Sequence, residues 1–348
     1  MRRWVCGMCL VGAAGVAAAD GPTVYGLVDI ALAWGAADGA RFAGLMRDGG
    51  LAGNRIGFRA IESLGEGLDL TVVLENGFLP GTGESHRPGR TFSRQTWIAL
   101  SGGFGRFSLG YQYSPGFMIP YRYQVMGGSA AFAPRSTLAF AGGYSIAPGS
   151  VGRFDNALAW ASPSFGGVQL MGIYGFQGRQ QDEPGHGRSD DDRIGLGATW
   201  DAGPWSLGTA WHRIGEADGA GAAREGFVGA SLDTGPLKLV ASASRRDAAG
   251  TSAGDNRLWS AGVVVPLAGG EASLGAAWLD PRGHDNDARS ITTGLIRPLG
   301  KRTQWYAAIN LLSYEVRADA YLRPGAVVTV AVPGKTARSL ITGFSHRF

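Results

Sequence analysis

Hydrophobicity in this chain alternates residue by residue from about position 23 to the carboxyl end, and only one of the two resulting faces could enter a core. Ile194, Leu196, Ala198 and Trp200 oppose Arg193, Gly195, Gly197, Thr199 and Asp201. Trp205, Leu207, Thr209 and Trp211 oppose Ser206, Gly208, Ala210 and His212. The pattern returns in Ala272, Leu274, Ala276 and Trp278, and in Trp305, Ala307, Ile309 and Leu311. A period of two belongs to strands, whose successive side chains point to opposite faces. No long window carries a competing helical period. The second face is mostly Gly, Ser, Ala, Thr and charge, too small or too polar to fill a core. In a soluble sandwich the apolar face would turn inward against another sheet. Here it carries aromatic residues near strand ends, at Trp34, Trp97, Trp160, Trp200, Trp205, Trp211, Trp278 and Trp305. That spacing fits two interfacial girdles around an apolar band, so the chain reads as all-β, with lipid outside and water inside.

Sixteen candidate strands follow from the alternation: 23–34, 54–63, 68–79, 92–101, 106–112, 154–162, 168–177, 193–201, 205–214, 225–233, 237–245, 257–266, 271–279, 288–299, 303–315 and 337–348. Their connectors alternate between short turns rich in Gly and Pro, as hairpins require, and long loops such as 35–53, 113–153, 178–192 and 316–336. About ten residues at about 3.3 Å each, tilted by about 40°, span about 25 Å, the height of an outer-membrane apolar band. The expectation is a 16-stranded antiparallel transmembrane β-barrel, wide enough for an aqueous channel. Glycine supplies 58 of the 348 residues, but without a G-X-Y repeat, which excludes collagen. After the first nineteen residues no apolar run is long enough for a membrane-spanning helix.

The amino end reads as an export signal over 1–19: Arg2 and Arg3, an apolar stretch from Trp4 to Val16, and an Ala17–Ala19 cleavage pattern before Asp20. The mature domain is then 20–348. Both cysteines, Cys6 and Cys9, fall within the signal, so no disulfide is expected. Without Arg2 and Arg3 the formal charge falls from +4 to +2, which gives nucleic-acid binding no support.

Several segments resemble the Gram-negative general porins of the neisserial and beta-proteobacterial type. They are Val24 to Asp29, Asn54 to Arg59, Glu62 to Leu68, Phe92 to Gly105, Leu109 to Pro115, Arg153 to Asn156, Trp160 to Gly167, and Gly343 to Phe348. They keep the family's order over most of the mature chain; the stretch from about 178 to 335 carries the alternation but few signature residues. The resemblance implies a homotrimer in the outer membrane, among outer-membrane lipid and lipopolysaccharide, passing small anions and hydrophilic solutes. It implies that the third long loop folds into the pore and narrows it. It also implies that the terminal face Leu340, Thr342, Phe344, His346 and Phe348 is read by the barrel-assembly machinery. Small residues at Ala31, Ala33 and Ala60, read as outward-facing, would let protomers approach closely.

Arginines are the candidate functional residues. Arg55 and Arg59 alternate with Ile56, Phe58 and Ala60, which turns them to the lumen. Arg153 and Asp155 oppose Phe154, Leu158 and Trp160 in the same way, while parity around Arg94 is indecisive. The resemblance maps Arg55, Arg94 and Arg153 onto the wall arginines of the family's constriction. From Ser85 to Phe154 there is no Asp or Glu, so the candidate constriction loop 113–153 adds Arg122 and Arg135 with tyrosines 111, 113, 121 and 123. General porins often set acidic loop groups opposite such arginines; this loop does not, and a net positive eyelet selecting anions is expected, tempered by lumen acids such as Asp29, Glu62 or Asp155. These eyelet arginines, standing in water, should need no ion partner. No cofactor and no metal are expected. Asp190, Asp191 and Asp192, with Asp182 and Glu183 nearby, are read as a solvated outer loop rather than a cation site. The five histidines (His86, His186, His212, His284, His346) lie in no catalytic motif. Two other readings are an outer-membrane hydrolase, which needs a Ser, a His and an acid at one rim, and an adhesin with a plugged lumen.

Overall fold

A computed structural model describes residues 21–37, 40–45, 49–176, 191–215, 221–248, 255–282, 287–314 and 336–348. The expected signal 1–19, Asp182, Glu183, Asp190, His186 and His284 lie outside them. Among the described residues seventeen strands form. The first eight are β1 (Thr23–Ala37), β2 (Ala40–Leu45), β3 (Arg55–Gly65), β4 (Leu68–Gly77), β5 (Gln95–Gly102), β6 (Gly105–Tyr113), β7 (Arg153–Ala161) and β8 (Val168–Gly175). They are followed by β9 (Arg193–Ala202), β10 (Trp205–Gly215), β11 (Ala222–Asp233), β12 (Lys238–Asp247) and β13 (Asn256–Leu267). The last four are β14 (Gly270–Pro281), β15 (Ala288–Pro298), β16 (Thr303–Tyr314) and β17 (Thr336–Arg347).

Every pairing between neighbouring strands is antiparallel, and β1 pairs with β17 from Leu27 opposite Arg347 to Ala36 opposite Arg338, which closes the sheet. Closure joins the first strand to the last, so along their paired lengths the strands satisfy their backbone groups without water. Both β2 and β3 pair with β1, β2 along 32–37 and β3 along 23–27. They share one position in the wall, which is therefore sixteen strands around. The sequence assigned 35–53 to a loop; the backbone continues β1 and adds β2 there. Between β2 and β3 the chain dips inward, where Gly50, Leu51 and Ala52 donate backbone N–H groups to the Asp29 carboxylate, and Tyr306 adds its hydroxyl at 2.5 Å.

The outside of the wall is apolar and exposed: Ile30, Leu32, Ile56, Phe58, Leu109, Leu158, Leu196, Val228 and Ile309 all face away from the protein. An apolar surface this continuous is stable only in lipid. Trp200 and Trp205 stand near the tight-turn end, and Trp34, Trp211 and Trp278 near the long-loop end, as expected. Trp259 joins Trp278, with ring centroids 5.5 Å apart.

Three facing assignments differ from the alternation. Trp97 shares its face with Ala99 and pairs with buried Val73; it lies inside the barrel, with the Arg106 guanidinium 5.5 Å from its ring. Ala31 and Ala33 share parity with Asp29 and are buried with Phe132 and Tyr306, so they face the lumen and cannot line a protomer contact. Phe154 is fully buried with Ala157 and Ile173, against the His212 ring. The cause of the third is a bulge at Gly110/Gln112, with Asn156 at φ 44°, which reverses parity within β7. Gly110 takes φ 127°, and a Cβ there would stand 2.2 Å from the Thr96 carbonyl oxygen, so no other residue fits.

The third long loop lies inside the barrel. It carries helix α1 (Pro115–Met118) and helix α2 (Pro134–Ala141) and packs on the lumen side of β9 to β15. Glycines in the wall receive it. A Cβ at Gly208 would lie 2.5 Å from the Tyr123 ring, one at Gly229 2.6 Å, one at Gly262 2.4 Å from Val125, and one at Gly294 2.5 Å from the Met126 sulfur. These wall glycines therefore serve to make room for the loop, not to form turns.

Candidate pore constriction

Where the loop leaves and rejoins the wall, a chain of polar groups connects the strands. Glu75 on β4 is at its centre. Alternation put Leu70, Val72 and Leu74 outward and Thr71, Val73 and Glu75 inward, a signal the sequence reading passed over. The Arg94 Nε donates to Glu75 Oε1 at 2.8 Å, Tyr25 donates its hydroxyl to Oε2 at 3.0 Å, and the Arg55 Nε stands 3.8 Å from Oε2. On its other side Arg94 donates from Nη2 to the Tyr113 hydroxyl at 2.9 Å. That hydroxyl also accepts from Arg153 Nη2 at 3.2 Å.

Three arginines from β3, the start of β5 and β7 thus meet around one carboxylate and one phenol. The Arg153 guanidinium sits 4.8 Å from the Tyr113 ring centroid and 5.6 Å from that of Phe117, which stacks on Tyr113 at 3.8 Å. Stacking on aromatic faces holds a planar guanidinium where a lysine would be free to swing away. Arg94 and Arg153 are only 7% and 3% exposed, so they are set into the wall rather than standing free in water. The expectation that they need no ion partner fails for Arg94, whose desolvated guanidinium takes Glu75 as its carboxylate; Arg153 takes the Tyr113 hydroxyl and two aromatic faces instead. Burial lowers the pKa of Arg94 while Tyr113 and Glu75 raise it, with a net rise, so it stays cationic. Arg59 lies further along the same face of β3, half-buried, where Arg106 feels its like charge.

The two loop arginines lie elsewhere. Arg122 reaches the opposite wall, donating to Asp201 on β9 and, at 3.1 Å, to Ser206 Oγ on β10. Arg135, in the first turn of α2, is 1% exposed; it donates to the Ile146 carbonyl at 3.0 Å and Ser244 Oγ at 3.1 Å, and lies 4.8 Å from the Phe227 centroid. Burial pushes its pKa down to about 10, which leaves it charged at neutral pH. It anchors the loop and lines no open space. Of the acids expected to temper the field, Asp29 holds residues 50–52 and Asp155 pairs with Arg90 at 2.5 Å, so both are engaged; Glu62 is exposed near the tight-turn end.

Acids missing from the loop are supplied by the wall. Glu225 Oε2 accepts from the backbone N–H groups of Ser145 and Ile146, both at 2.8 Å, and from Ser145 Oγ at 2.9 Å. His212 Nε2 accepts from the Gly116 N–H at 3.2 Å, and Nδ1 lies 2.8 Å from Ser145 Oγ. A serine, a histidine and an acid do meet here, but not as a nucleophilic triad. Gly116 occupies the histidine nitrogen as an acceptor, so Nδ1 carries the proton and donates to Ser145, which donates to Glu225. All three are buried under the loop, and the serine has no base. Among the described residues no group of His, Cys, Asp or Glu could hold a metal ion.

The fold and this arrangement are those of an outer-membrane diffusion channel. The chain belongs to the Gram-negative porin family, which matches residues 8–316. It is 26% identical to outer membrane porin protein 32 of Delftia acidovorans over the whole of both chains. It is 28% identical to an outer membrane porin protein of Bordetella pertussis, covering 86% of this chain and 90% of that one. Among solved structures, an anion-selective porin from Comamonas acidovorans superposes with a TM-score of 0.79 at 26% identity, covering 94% of this chain and 99% of that one. A trimer form of an outer membrane protein of Vibrio cholerae shares the fold at 13% identity, with a TM-score of 0.64. The protein is a channel of the Gram-negative outer membrane.

Proposed function

We propose that this channel passes small hydrophilic solutes with a preference for anions, set by Arg55, Arg94 and Arg153. The observation that carries the reading is that these three arginines share a single carboxylate, Glu75, which Arg94 and Arg55 face while Arg153 joins them through the Tyr113 hydroxyl, beside a loop that contributes no acid. Two guanidinium charges remain in excess there. A charge about 6 Å from a permeating ion is worth about 0.7 kcal/mol at water's dielectric and about 3 kcal/mol at ε near 20. Two such charges favour anions over cations by about tenfold or more, less in salt, because the Debye length is about 8 Å at physiological strength. The relative from Comamonas acidovorans, described as anion-selective, supports the same direction.

The test is the zero-current potential in a KCl gradient across a planar bilayer. The wild-type value should lie on the chloride side. Replacing Arg55, Arg94 and Arg153 together by Ser should move it toward potassium; a wild-type value on the cation side, or no movement in the triple variant, would refute the assignment. The protomers form a homotrimer in this reading, supported by the trimer form among its structural relatives. Residues 1–19 direct export, and Phe344, His346 and Phe348 present the face by which the assembly machinery takes up the barrel.

A further inference from the structure

On the tight-turn side of the eyelet the same wall carries a second arginine group. Register sets Arg59 of β3 opposite Val73 of β4, and Val73 opposite Trp97 of β5, so the three share one row across the lumen face. Arg59 lies further along β3 than Arg55, about 13 Å nearer the tight turn at about 3.3 Å per residue. Arg106 enters from the start of β6, where it pairs with Ser101, and reaches back to place its guanidinium 5.5 Å from the Trp97 ring. There Arg59 and Arg106 come near enough for each to feel the other's charge.

These two arginines differ from those of the eyelet in what they touch. Arg94 is engaged by Glu75 and Tyr113, Arg153 by Tyr113, and Arg55 by the Gly53 carbonyl. The guanidinium groups of Arg59 and Arg106 make no hydrogen bond and no ion pair among the described residues. Asp69, on the same face and opposite Ser101, pairs with neither. Two forks of five donors each are thus left to water or to a solute.

The indole between them is the unexpected member. Among the described tryptophans Trp97 alone turns to the lumen, and it is half-exposed there, whereas the girdle tryptophans face lipid. Its apolar neighbours on the face, Val73 and Ala99, are buried, so the apolar surface offered to water at this point is the indole itself. Its Nε1 donates to Gln95 Oε1 at 3.0 Å, which fixes the plane of the ring. A rigid aromatic face therefore stands in a water-filled passage between two cations that have no partner.

We propose that Arg59, Trp97 and Arg106 form a subsite for small aromatic carboxylates, a narrower class of solute within the anion preference argued above, on which it rests. The guanidinium forks take the carboxylate, whose two oxygens match their paired donors. The indole takes the ring, because aromatic pairs in offset or edge-to-face arrangement gain more than the buried area alone supplies. An inorganic anion or an aliphatic acid engages the arginines but leaves the indole face unused. Tight turns mark the periplasmic side of an outer-membrane barrel, so a solute that has passed the eyelet meets this subsite next. Successive sites, each weak enough to leave, let a channel favour one solute without trapping it.

The test reads the block of chloride current through the full-length channel in a planar bilayer. Benzoate is the probe, and cyclohexanecarboxylate is the matched acid of like charge and size without an aromatic face. Benzoate should halve the current at a concentration about fivefold lower than cyclohexanecarboxylate does. Trp97→Leu should erase that difference and Trp97→Phe should retain it in part. Arg59→Gln combined with Arg106→Gln should raise the half-blocking concentration of both acids by about tenfold or more. An unshifted heat-modifiable band certifies that each variant is folded. A wild-type zero-current potential on the cation side would overturn the anion reading and this one with it. With that potential on the chloride side, equal block of the wild-type channel by the two acids would overturn this proposal alone. So would a ring preference that survives Trp97→Leu, or undiminished block in the double arginine variant.

Discussion

Glu75 is the residue on which the charge of the eyelet turns. It accepts from Arg94 and Tyr25 and faces Arg55, so it cancels one guanidinium and fixes the direction of two. Glu75→Gln keeps the size and one acceptor oxygen but removes the charge. We expect a further shift of the zero-current potential toward chloride, together with a loss of stability of about 3 kcal/mol, because a buried guanidinium is left without its carboxylate. An unchanged zero-current potential would place Glu75 outside the ion path. Arg122 and Arg135 make the contrasting case. Both were legible as acid-free loop cations, yet Asp201 neutralises the first and burial removes the second from the solute path. Arg135→Met should therefore leave selectivity unchanged within error while lowering thermal stability, measured as the temperature at which the folded band is lost.

The third loop is an element held by absences. Wall glycines admit Tyr123, Val125 and Met126, and polar contacts at Glu225, His212 and Ser129 tie its backbone down; Ser129 Oγ donates to the Gly50 carbonyl at 2.6 Å. Gly229→Leu puts carbon where the Tyr123 ring now lies, 2.6 Å from the new Cβ, and a ring of that size has no second site beside β11. We expect the loop to be displaced, single-channel conductance to rise and anion preference to weaken, with the barrel still folded because the strand backbone is untouched. Unchanged conductance in a folded variant would show that the loop does not narrow the channel. Gly226, on the outward face of the same strand, has open space where a Cβ would stand, and Gly226→Ala serves as the control.

At the scale of the whole molecule the seam between β1 and β17 decides whether a barrel exists. Phe348 exchanges backbone hydrogen bonds with Gly26, both at 3.2 Å, and its ring occupies the space a Gly26 side chain would need. Deleting Phe348 should leave little folded protein in the outer membrane, measured as heat-modifiable bands, without altering the conductance of the channels that do form. Wild-type insertion of that variant would remove Phe348 from the assembly signal. Native channels should close in three equal steps if three barrels associate, each a complete pore.

Period-two alternation was enough to establish an all-β barrel, sixteen strand positions, the side on which lipid lies and the inward placement of Arg55, because lipid and water impose opposite demands on the two faces of every strand. Alternation failed where spacing is interrupted or a face is mixed: the bulge beside Gly110 moved Phe154 inside, and Trp97, Ala31 and Ala33 were apolar residues taken for lipid-facing ones. Glu75 sat on a readable lumen position, but its role depends on β3, β4 and β5 lying side by side with Arg94 turned back toward it. Nothing local tells that glycines of β10 to β15, such as Gly208 and Gly229, are a bed for a loop as distant in sequence as Tyr123. Sequence sets the face to which a side chain points; only closure of the barrel and the path of the loop within it decide which side chains meet.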